Sequence, residues 1–170
     1  LVNYAPYWIP IAGARSNYSE IVADLDLVYY LGFKGVKLWN IEGFYDNGLV
    51  DKIFSDLQER NLVAIVPFRV WRQEQFPENQ TIIDEFKTFV AKVSATLKTK
   101  TNLLWYTVHY PVDWNNMPKT VETFKTETYR YKLQEIINTI WNNDAVHPIY
   151  MSLEFDPNLG APYNLMNVQG

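Results

Sequence analysis

The chain has no cysteine among its 170 residues. This absence excludes disulfides, thiolate metal sites and a cysteine nucleophile, although it says little about the compartment. The sequence also lacks basic runs, because its 15 Lys and Arg residues are scattered among 19 acidic ones and the net charge is -4. Its apolar stretches fall far short of the ~20 residues that a membrane span needs. We therefore expect no nucleic-acid partner and no membrane insertion by this segment.

Aromatic side chains are abundant by contrast, at 16% of the sequence with 12 Tyr and 6 Trp. Such flat, amphipathic rings pack cores and also hold the faces of sugars. No Pro/Gly linker or shift in composition divides the chain, so we predict one domain over residues 1–170, as a portion of a larger protein. Two sequons, at Asn17 and Asn79, fit an extracellular or cell-surface protein, although such short matches also arise by chance.

Strand-like and helix-like stretches alternate along the whole length. Continuous apolar runs predict strands near 2–7, 36–41, 62–68, 103–110 and 148–154. Helical periodicity predicts a first helix that begins with a capping box at Asn17 and Glu20 and stops at Gly32. It further predicts a second helix from about 49 to 61, a third capped by Thr81 and a fourth from about 121 to 142.

These units indicate an α/β fold with a parallel sheet, because strands that are apolar on both faces are covered by helices. We predict the first five units of a TIM (β/α)8-type barrel. A closed barrel usually needs ~250 residues, so five units leave an open sheet edge. The remaining barrel half or another chain is the expected partner there. An open flavodoxin-like parallel sheet is the alternative, although no glycine-rich nucleotide motif supports it.

Aromatic and polar residues follow every predicted strand. In a barrel the ligand site lies at these carboxyl ends, and rings beside amides and charged groups suit a sugar. Polar loops also occur at the strand ends of any α/β protein, where bulky rings only close the barrel. The clustering at all five ends favours a sugar, with contacts from Tyr4, Trp8, Lys37, Trp39, Asn40, Arg69, Tyr110 and Trp114.

The same segments resemble strands one to five of clan A glycoside hydrolases, the cellulase-like and β-galactosidase-like (β/α)8 barrels. In order they are LVNYAPYW, LGFKGVKLWN, LVAIVPF, WYTVHYPVDW and HPIYMSLEF. The second is the most specific, since the clan's second strand ends in Arg-Leu-Trp and Lys37 replaces that arginine. The resemblance implies a barrel that acts on poly- or oligosaccharides.

The fourth strand departs from the clan pattern at the residues that matter most. The clan has Asn-Glu-Pro there, with the glutamate as general acid/base, and this chain has His109-Tyr110-Pro111. The clan's nucleophile comes from a seventh strand, which these residues do not reach. Retaining hydrolysis needs two carboxyl groups ~5 Å apart, and tyrosine, with a pKa of about 10, is a poor acid at neutral pH.

Two carboxyl groups are candidate replacement acids. Asp113 lies three residues past Tyr110, and Glu154 ends the fifth strand. Each also has a structural interpretation, Asp113 as a turn or cap residue and Glu154 as a partner of Lys37 or Arg69. Two functions follow: a glycoside hydrolase, or a non-catalytic extracellular domain that binds sugar or serves as scaffold.

Alternation along the fourth strand places Tyr110 in the barrel mouth if Val108 also faces the interior, with His109 towards the helices. The opposite phase would put His109 in the mouth. His147 precedes the fifth strand and so lies at the amino-terminal face of the barrel, where residues contribute to stability rather than to a ligand site. Neither histidine has further ligands spaced to form a metal site with it. We expect no metal and no cofactor.

Overall fold

The computed structural model describes residues 1–6, 17–70, 75–109 and 126–152. Five strands form one sheet in the order β1 (Val2–Tyr4), β2 (Gly35–Leu38), β3 (Val63–Arg69), β4 (Leu103–His109) and β5 (Ile149–Ser152). Every neighbouring pair is parallel, which confirms the predicted α/β class. Because the spatial order follows the chain order without a reversal, the sheet lacks the switch point of a flavodoxin-like fold.

Within the described ranges, five helices connect these strands: α1 (Tyr18–Tyr30), α2 (Ile41–Asp46), α3 (Val50–Glu59), α4 (Gln80–Leu97) and α5 (Glu127–Asn143). The predicted cap of α1 is confirmed, since the Asn17 side chain accepts hydrogen bonds from the backbone amides of Ser19 and Glu20. The prediction of Thr81 as the cap of α4 is wrong by two residues. Asn79 takes that role and accepts from the Ile82 amide at 3.3 Å.

The segment after β2 differs from the prediction. The strand ends at Leu38 rather than near residue 41, and the short helix α2 follows, where sequence periodicity predicted none. Asn40 allows this turn, because it adopts a left-handed conformation with φ 58° that asparagine tolerates better than most residues. The fourth predicted helix, from about 121 to 142, corresponds to α5, which begins at Glu127 with Thr126 as its cap. Residues 121–125 lie outside the described ranges.

The core lies between one face of the sheet and the helices. Val36 of β2, Phe68 of β3 and Val108 of β4 point to this side and are fully or almost fully buried. Strand and helix side chains together form a single apolar cluster. At the start of β2, Gly35 is required by close packing, because a β-carbon there would meet the carbonyl oxygen of Val63 on β3. The helices therefore cover one face of the sheet.

Candidate functional site

The concave face of the sheet carries charged and aromatic groups near the carboxyl ends of β2, β3 and β4. Lys37 pairs in register with Ile65, and Arg69 pairs with His109. Since side chains alternate along a strand, these residues project to the side opposite Val36, Phe68 and Val108. We call the group formed by Lys37, Trp39, Arg69 and His109 the mouth cluster.

Trp39 lies at the centre of the mouth cluster. Its backbone amide donates to the carbonyl of Tyr4 at 2.8 Å, and its indole Nε1–H donates to Asn3 Oδ1 at 3.3 Å. The Lys37 ammonium lies 4.5 Å from the indole centroid, a cation–π distance. The His109 ring lies 4.6 Å away from the same ring with a 48° tilt. Trp39 thus joins the ends of β1, β2 and β4.

The histidine of the cluster is held neutral. His109 is only 4% exposed, and this burial together with the nearby charges of Lys37 and Arg69 lowers its pKa to about 4. All three causes act in the same direction, because each disfavours the imidazolium form. At neutral pH the ring therefore carries one N–H donor and one acceptor nitrogen.

Glu42 adds a carboxyl group to this end of the sheet. It lies in the first turn of α2, and burial raises the pKa of its carboxyl above the ordinary value. Asp46 acts in the same direction, whereas the backbone amide of Glu42 and the positive charge of Arg69 oppose the shift. Glu42 follows β2 in the sequence but is not among the predicted site residues, since only its electrostatic neighbours distinguish it from any glutamate in a first helical turn.

Arg69 and Asn40 are half-buried residues of the same region. Arg69 ends β3, and no hydrogen bond or ion pair involves its side chain among the residues that the structure describes. Asn40 precedes α2 but makes no side-chain cap bond to it, so its amide is not used as a helix cap. The structure thus brings Lys37, Trp39, Asn40 and Arg69 to one end of the sheet, as strand-end reasoning predicted.

Tyr4 contacts α1 at the end of β1. In register it pairs with Leu38, on the face that packs against the helices. Its hydroxyl donates to Asp24 Oδ2 of α1 at 3.0 Å. The side chain of Tyr4 thus links β1 to α1, and the contact of Tyr4 with a sugar stays a prediction.

Comparison with solved structures finds similar chains among endoglucanases. Cel5A of Thermotoga maritima aligns with a TM-score of 0.56 and 16% identity over 76% of this chain and 43% of that one. A second structure of that enzyme, in complex with cellobiose, gives 0.60 and 15% over 88% and 50%. The catalytic domain of Thermobifida fusca endoglucanase Cel5A gives 0.54 and 20% over 88% and 45%. No family model and no curated protein matches the chain.

The fold is an incomplete cellulase-like TIM barrel. The chain spans half or less of the length of these three neighbours, and the described strands form an open sheet. The mouth cluster lies at the carboxyl ends of the barrel strands, where barrel enzymes bind their ligands.

The phase of β4 in this barrel is the opposite of the one expected. Val108 is fully buried in the apolar cluster that strands and helices share, and His109 contacts Trp39 on the concave face. The prediction that Val108 faces the barrel interior and His109 faces the helices is therefore wrong. The signal was present in the sequence. Thr107 and His109 share one face of β4, and Tyr106 and Val108 share the other. The more polar pair lies on the concave face.

Five predicted site residues lie outside the described part of the chain, namely Trp8, Tyr110, Asp113, Trp114 and Glu154. The position expected for the Tyr110 hydroxyl and the acid roles of Asp113 and Glu154 therefore stay predictions. Within the described ranges, no group of three or more acidic or histidine side chains is arranged to hold a metal ion. No helix in those ranges has the length and apolar character of a membrane span.

Proposed function

We propose that the chain is a carbohydrate-active, glycoside hydrolase-like domain that binds or hydrolyses a poly- or oligosaccharide. The observation that carries this proposal is the mouth cluster, in which an indole, a neutral imidazole and two cations meet at the carboxyl ends of three barrel strands. Such a set offers a ring for an apolar sugar face and donors for its hydroxyls. The likeness to endoglucanases, one of them solved with cellobiose, supports the same conclusion.

In this proposal Lys37, Trp39, Asn40 and Arg69 contact the sugar, joined by the predicted contacts Trp8, Tyr110 and Trp114. Asp113 or Glu154 acts as the acid of a hydrolase, and the second carboxylate comes from outside this chain. The reaction requires both groups, because one must protonate the leaving oxygen while the other attacks the anomeric carbon.

A second candidate function is a non-catalytic extracellular or cell-surface domain that binds sugar or serves as scaffold within a larger protein. The specific observation in its favour is Tyr110, which stands before Pro111 where the resemblance expects the acid/base glutamate. In both cases the remaining barrel half or another chain covers the open sheet edges.

Sugar binding is tested by titrating the protein with cellohexaose in a calorimeter, with and without Trp39→Ala. We expect saturable binding that weakens about tenfold or more in the variant, since one aromatic–ligand contact is worth roughly 1–3 kcal/mol. Trp141→Ala is the matched control, because Trp141 is exposed on α5. Absence of binding by the wild-type protein, or equal binding by Trp39→Ala, would contradict the proposal.

Hydrolysis is tested separately with an aryl β-glucoside on the complete source protein. If the domain is an enzyme, Asp113→Asn or Glu154→Gln should abolish turnover while cellohexaose binding remains. Glu85→Gln, on the exposed side of α4, serves as the control. Turnover that survives both substitutions would exclude the two candidate acids, and binding without turnover in the wild type would select the non-catalytic function.

A further inference from the structure

One motif of the sequence takes no part in the mouth cluster, the sequon Asn17-Tyr18-Ser19. Its asparagine and its serine, the two residues that N-glycosylation requires, are both exposed at the start of α1. The middle residue, Tyr18, is half-buried, and its hydroxyl donates to Asp56 of α3. The fold therefore holds this tripeptide on the surface with its asparagine and serine towards solvent.

The Asn17 side chain uses one of its two polar atoms in the fold. Its Oδ1 accepts from the backbone amides of Ser19 at 2.8 Å and Glu20 at 3.3 Å, and from the Ser19 hydroxyl. Within the described part of the chain, its Nδ2 makes no hydrogen bond. N-glycosylation modifies the amide nitrogen and leaves the oxygen in place. A glycan at Asn17 is therefore compatible with the cap that begins α1.

The second sequon, Asn79-Gln80-Thr81, has a different environment. Asn79 also caps a helix, since its Oδ1 accepts from the Ile82 amide at 3.3 Å. Its Nδ2, however, donates to Gln75 Oε1 at 2.8 Å, and the residue is half-buried. A sugar on this nitrogen would compete with the hydrogen bond and would have to fit at a partly buried position. The same motif thus presents an accessible amide nitrogen at Asn17 and an engaged one at Asn79.

Asn17 also lies away from the apolar surface that α1 exposes. Leu27 and Leu31, which are 54% and 61% exposed, belong to the last turn of α1 and to its C-cap. At 1.5 Å per residue, about 15–20 Å of helix separates them from Asn17. A partner that covers these two leucines therefore need not bury Asn17.

From these differences we infer that Asn17 is an N-glycosylation site of the exported protein and that Asn79 stays unmodified. The inference rests on the extracellular location named in the proposed function and not on sugar binding. The donor is an oligosaccharide joined to a lipid through a diphosphate, and an oligosaccharyltransferase catalyses the transfer. A bond forms between Asn17 Nδ2 and the anomeric carbon of the first sugar, while the bond from that carbon to the diphosphate oxygen breaks. The lipid diphosphate leaves, and the proton lost from Nδ2 balances its new charge.

Peptide mass spectrometry of the protein from its natural source tests the inference. Trypsin cleaves after Lys and Arg and so places the two sequons in separate peptides, residues 16–34 and 73–87, with one asparagine each. We expect peptide 16–34 to carry the added mass of an oligosaccharide on Asn17, and peptide 73–87 to have its unmodified mass.

Variants of the complete protein, secreted from a eukaryotic host, assign the modification to its atoms. Asn17→Asp should abolish it and keep the cap, because aspartate caps helices as well as asparagine but has no amide nitrogen. Ser19→Ala should also abolish it, since the sequon requires the hydroxyl. Asn142→Asp, exposed on α5 and outside any sequon, is the matched control and should leave it unchanged. Urea unfolding verifies that each variant is folded.

Three results would overturn the inference. The first is a peptide 16–34 of unmodified mass in the natural protein. The second is equal modification of peptide 73–87, because burial and the bond to Gln75 would then not protect Asn79. The third is a sugar on peptide 16–34 that remains in Asn17→Asp, since it would be attached to another residue. Sugar binding at the mouth cluster is measured separately with cellohexaose, so each of these results leaves that part of the proposed function intact.

Discussion

His109 provides a residue-scale test of the electrostatics of the mouth cluster. Its pKa of about 4 in the folded protein lies below the value of 6.5 for an ordinary histidine. The unfolded chain therefore binds this proton more readily than the folded chain does. Stability should rise with pH between about 4 and about 6.5, and His109 should contribute on the order of 3 kcal/mol to that rise.

The measurement is an NMR titration of the His109 ring, with urea unfolding at several pH values. His109→Gln should remove this part of the pH dependence. Lys37→Met should raise the His109 pKa, because a cation that disfavours the imidazolium is gone, and Lys34→Met should not. A His109 pKa near 6.5 in the wild-type protein would show that burial and the two cations do not lower the pKa of this ring.

Gly35 gives a steric prediction at the same scale. Gly35→Ala should destabilise the protein by about 1–3 kcal/mol, because the added methyl would collide with the backbone carbonyl of Val63 on the neighbouring strand. The Val63 carbonyl is part of a hydrogen-bonded strand, so it cannot move aside as the end of a flexible side chain could. Chemical denaturation measures the loss. An unchanged free energy of unfolding would contradict the close approach of β2 and β3.

At the scale of elements, a buried polar network ties β4 to the segment between α5 and β5. Tyr106 of β4 donates its hydroxyl hydrogen to Asp144 Oδ2 at 2.7 Å, and His147 Nδ1 lies at 2.7 Å from the same oxygen. The amides of Val146 and His147 donate to Asp144 Oδ1. His147 Nε2 lies 3.1 Å from the Lys100 carbonyl, so the turn before β4 is included.

The network also controls two pKa values. Burial alone would raise the pKa of Asp144, but the hydrogen bonds from Tyr106, His147 and two backbone amides outweigh it and lower that pKa. Burial and the neighbouring carboxylate raise the pKa of Tyr106 far above the ordinary value. The stability that Asp144 contributes is therefore present above the ordinary aspartate pKa and lost in strong acid, as the pH falls through its folded value.

Tyr106→Phe should lower the free energy of unfolding by about 1.5–3 kcal/mol, since it removes a hydrogen bond to a buried carboxylate and leaves the ring in place. Tyr29→Phe, on the exposed side of α1, is the control and should have no effect. Sugar binding should be unchanged in both, because Asp144 and His147 lie before β5, at the opposite end of the sheet from the mouth cluster. A loss under about 0.5 kcal/mol for Tyr106→Phe would contradict the network.

The elements were predictable where their signals are local. Continuous apolar runs predicted all five strands and helical periodicity predicted the longer helices, because each such pattern lies within a few consecutive residues. The short helix α2 was missed, since it depends on a single left-handed asparagine rather than on periodicity. The phase of β4 was missed because both of its faces are largely buried, which weakens the contrast between its inner and outer side chains.

The candidate site was predictable to a similar degree. The rule that parallel strands end at one edge of the sheet placed Lys37, Trp39 and Arg69 at the carboxyl ends of the strands, where they lie. It could not tell that Tyr4 faces α1, because a tyrosine suits either face of a strand. The rise in the Glu42 pKa depends on burial by residues distant in sequence, so no local pattern could predict it.

At the scale of the whole molecule, apolar side chains are exposed at both edges of the open sheet. Leu27 and Leu31 are 54% and 61% exposed on α1. They lie on the flank away from α3, because Asp26 on the other flank pairs with Arg60 of α3 at 2.7 Å. At the other edge, Tyr150 of β5 is 54% exposed beside Trp105. These edges fit a covering barrel half or a second chain.

We expect the 170-residue chain alone to associate at high concentration, and Leu27→Ser with Leu31→Ser to reduce that association. Light scattering over a range of concentrations measures both. The polar substitution Asp26→Asn on the same helix controls for nonspecific effects. Intact protein from its natural source with a mass near the 20.0 kDa of this chain, and monomeric at high concentration, would contradict a covering partner.

The central claim is that a sugar binds at the mouth cluster of this barrel, and the indole resonances of the protein test it most directly. Trp39 Nε1–H, hydrogen-bonded to Asn3 in the cluster, is assigned by its disappearance in Trp39→Phe. On titration with cellohexaose, we predict a saturable shift of this resonance and no shift of the exposed Trp141 on α5. An unchanged Trp39 signal at the highest soluble concentration of cellohexaose would contradict the claim.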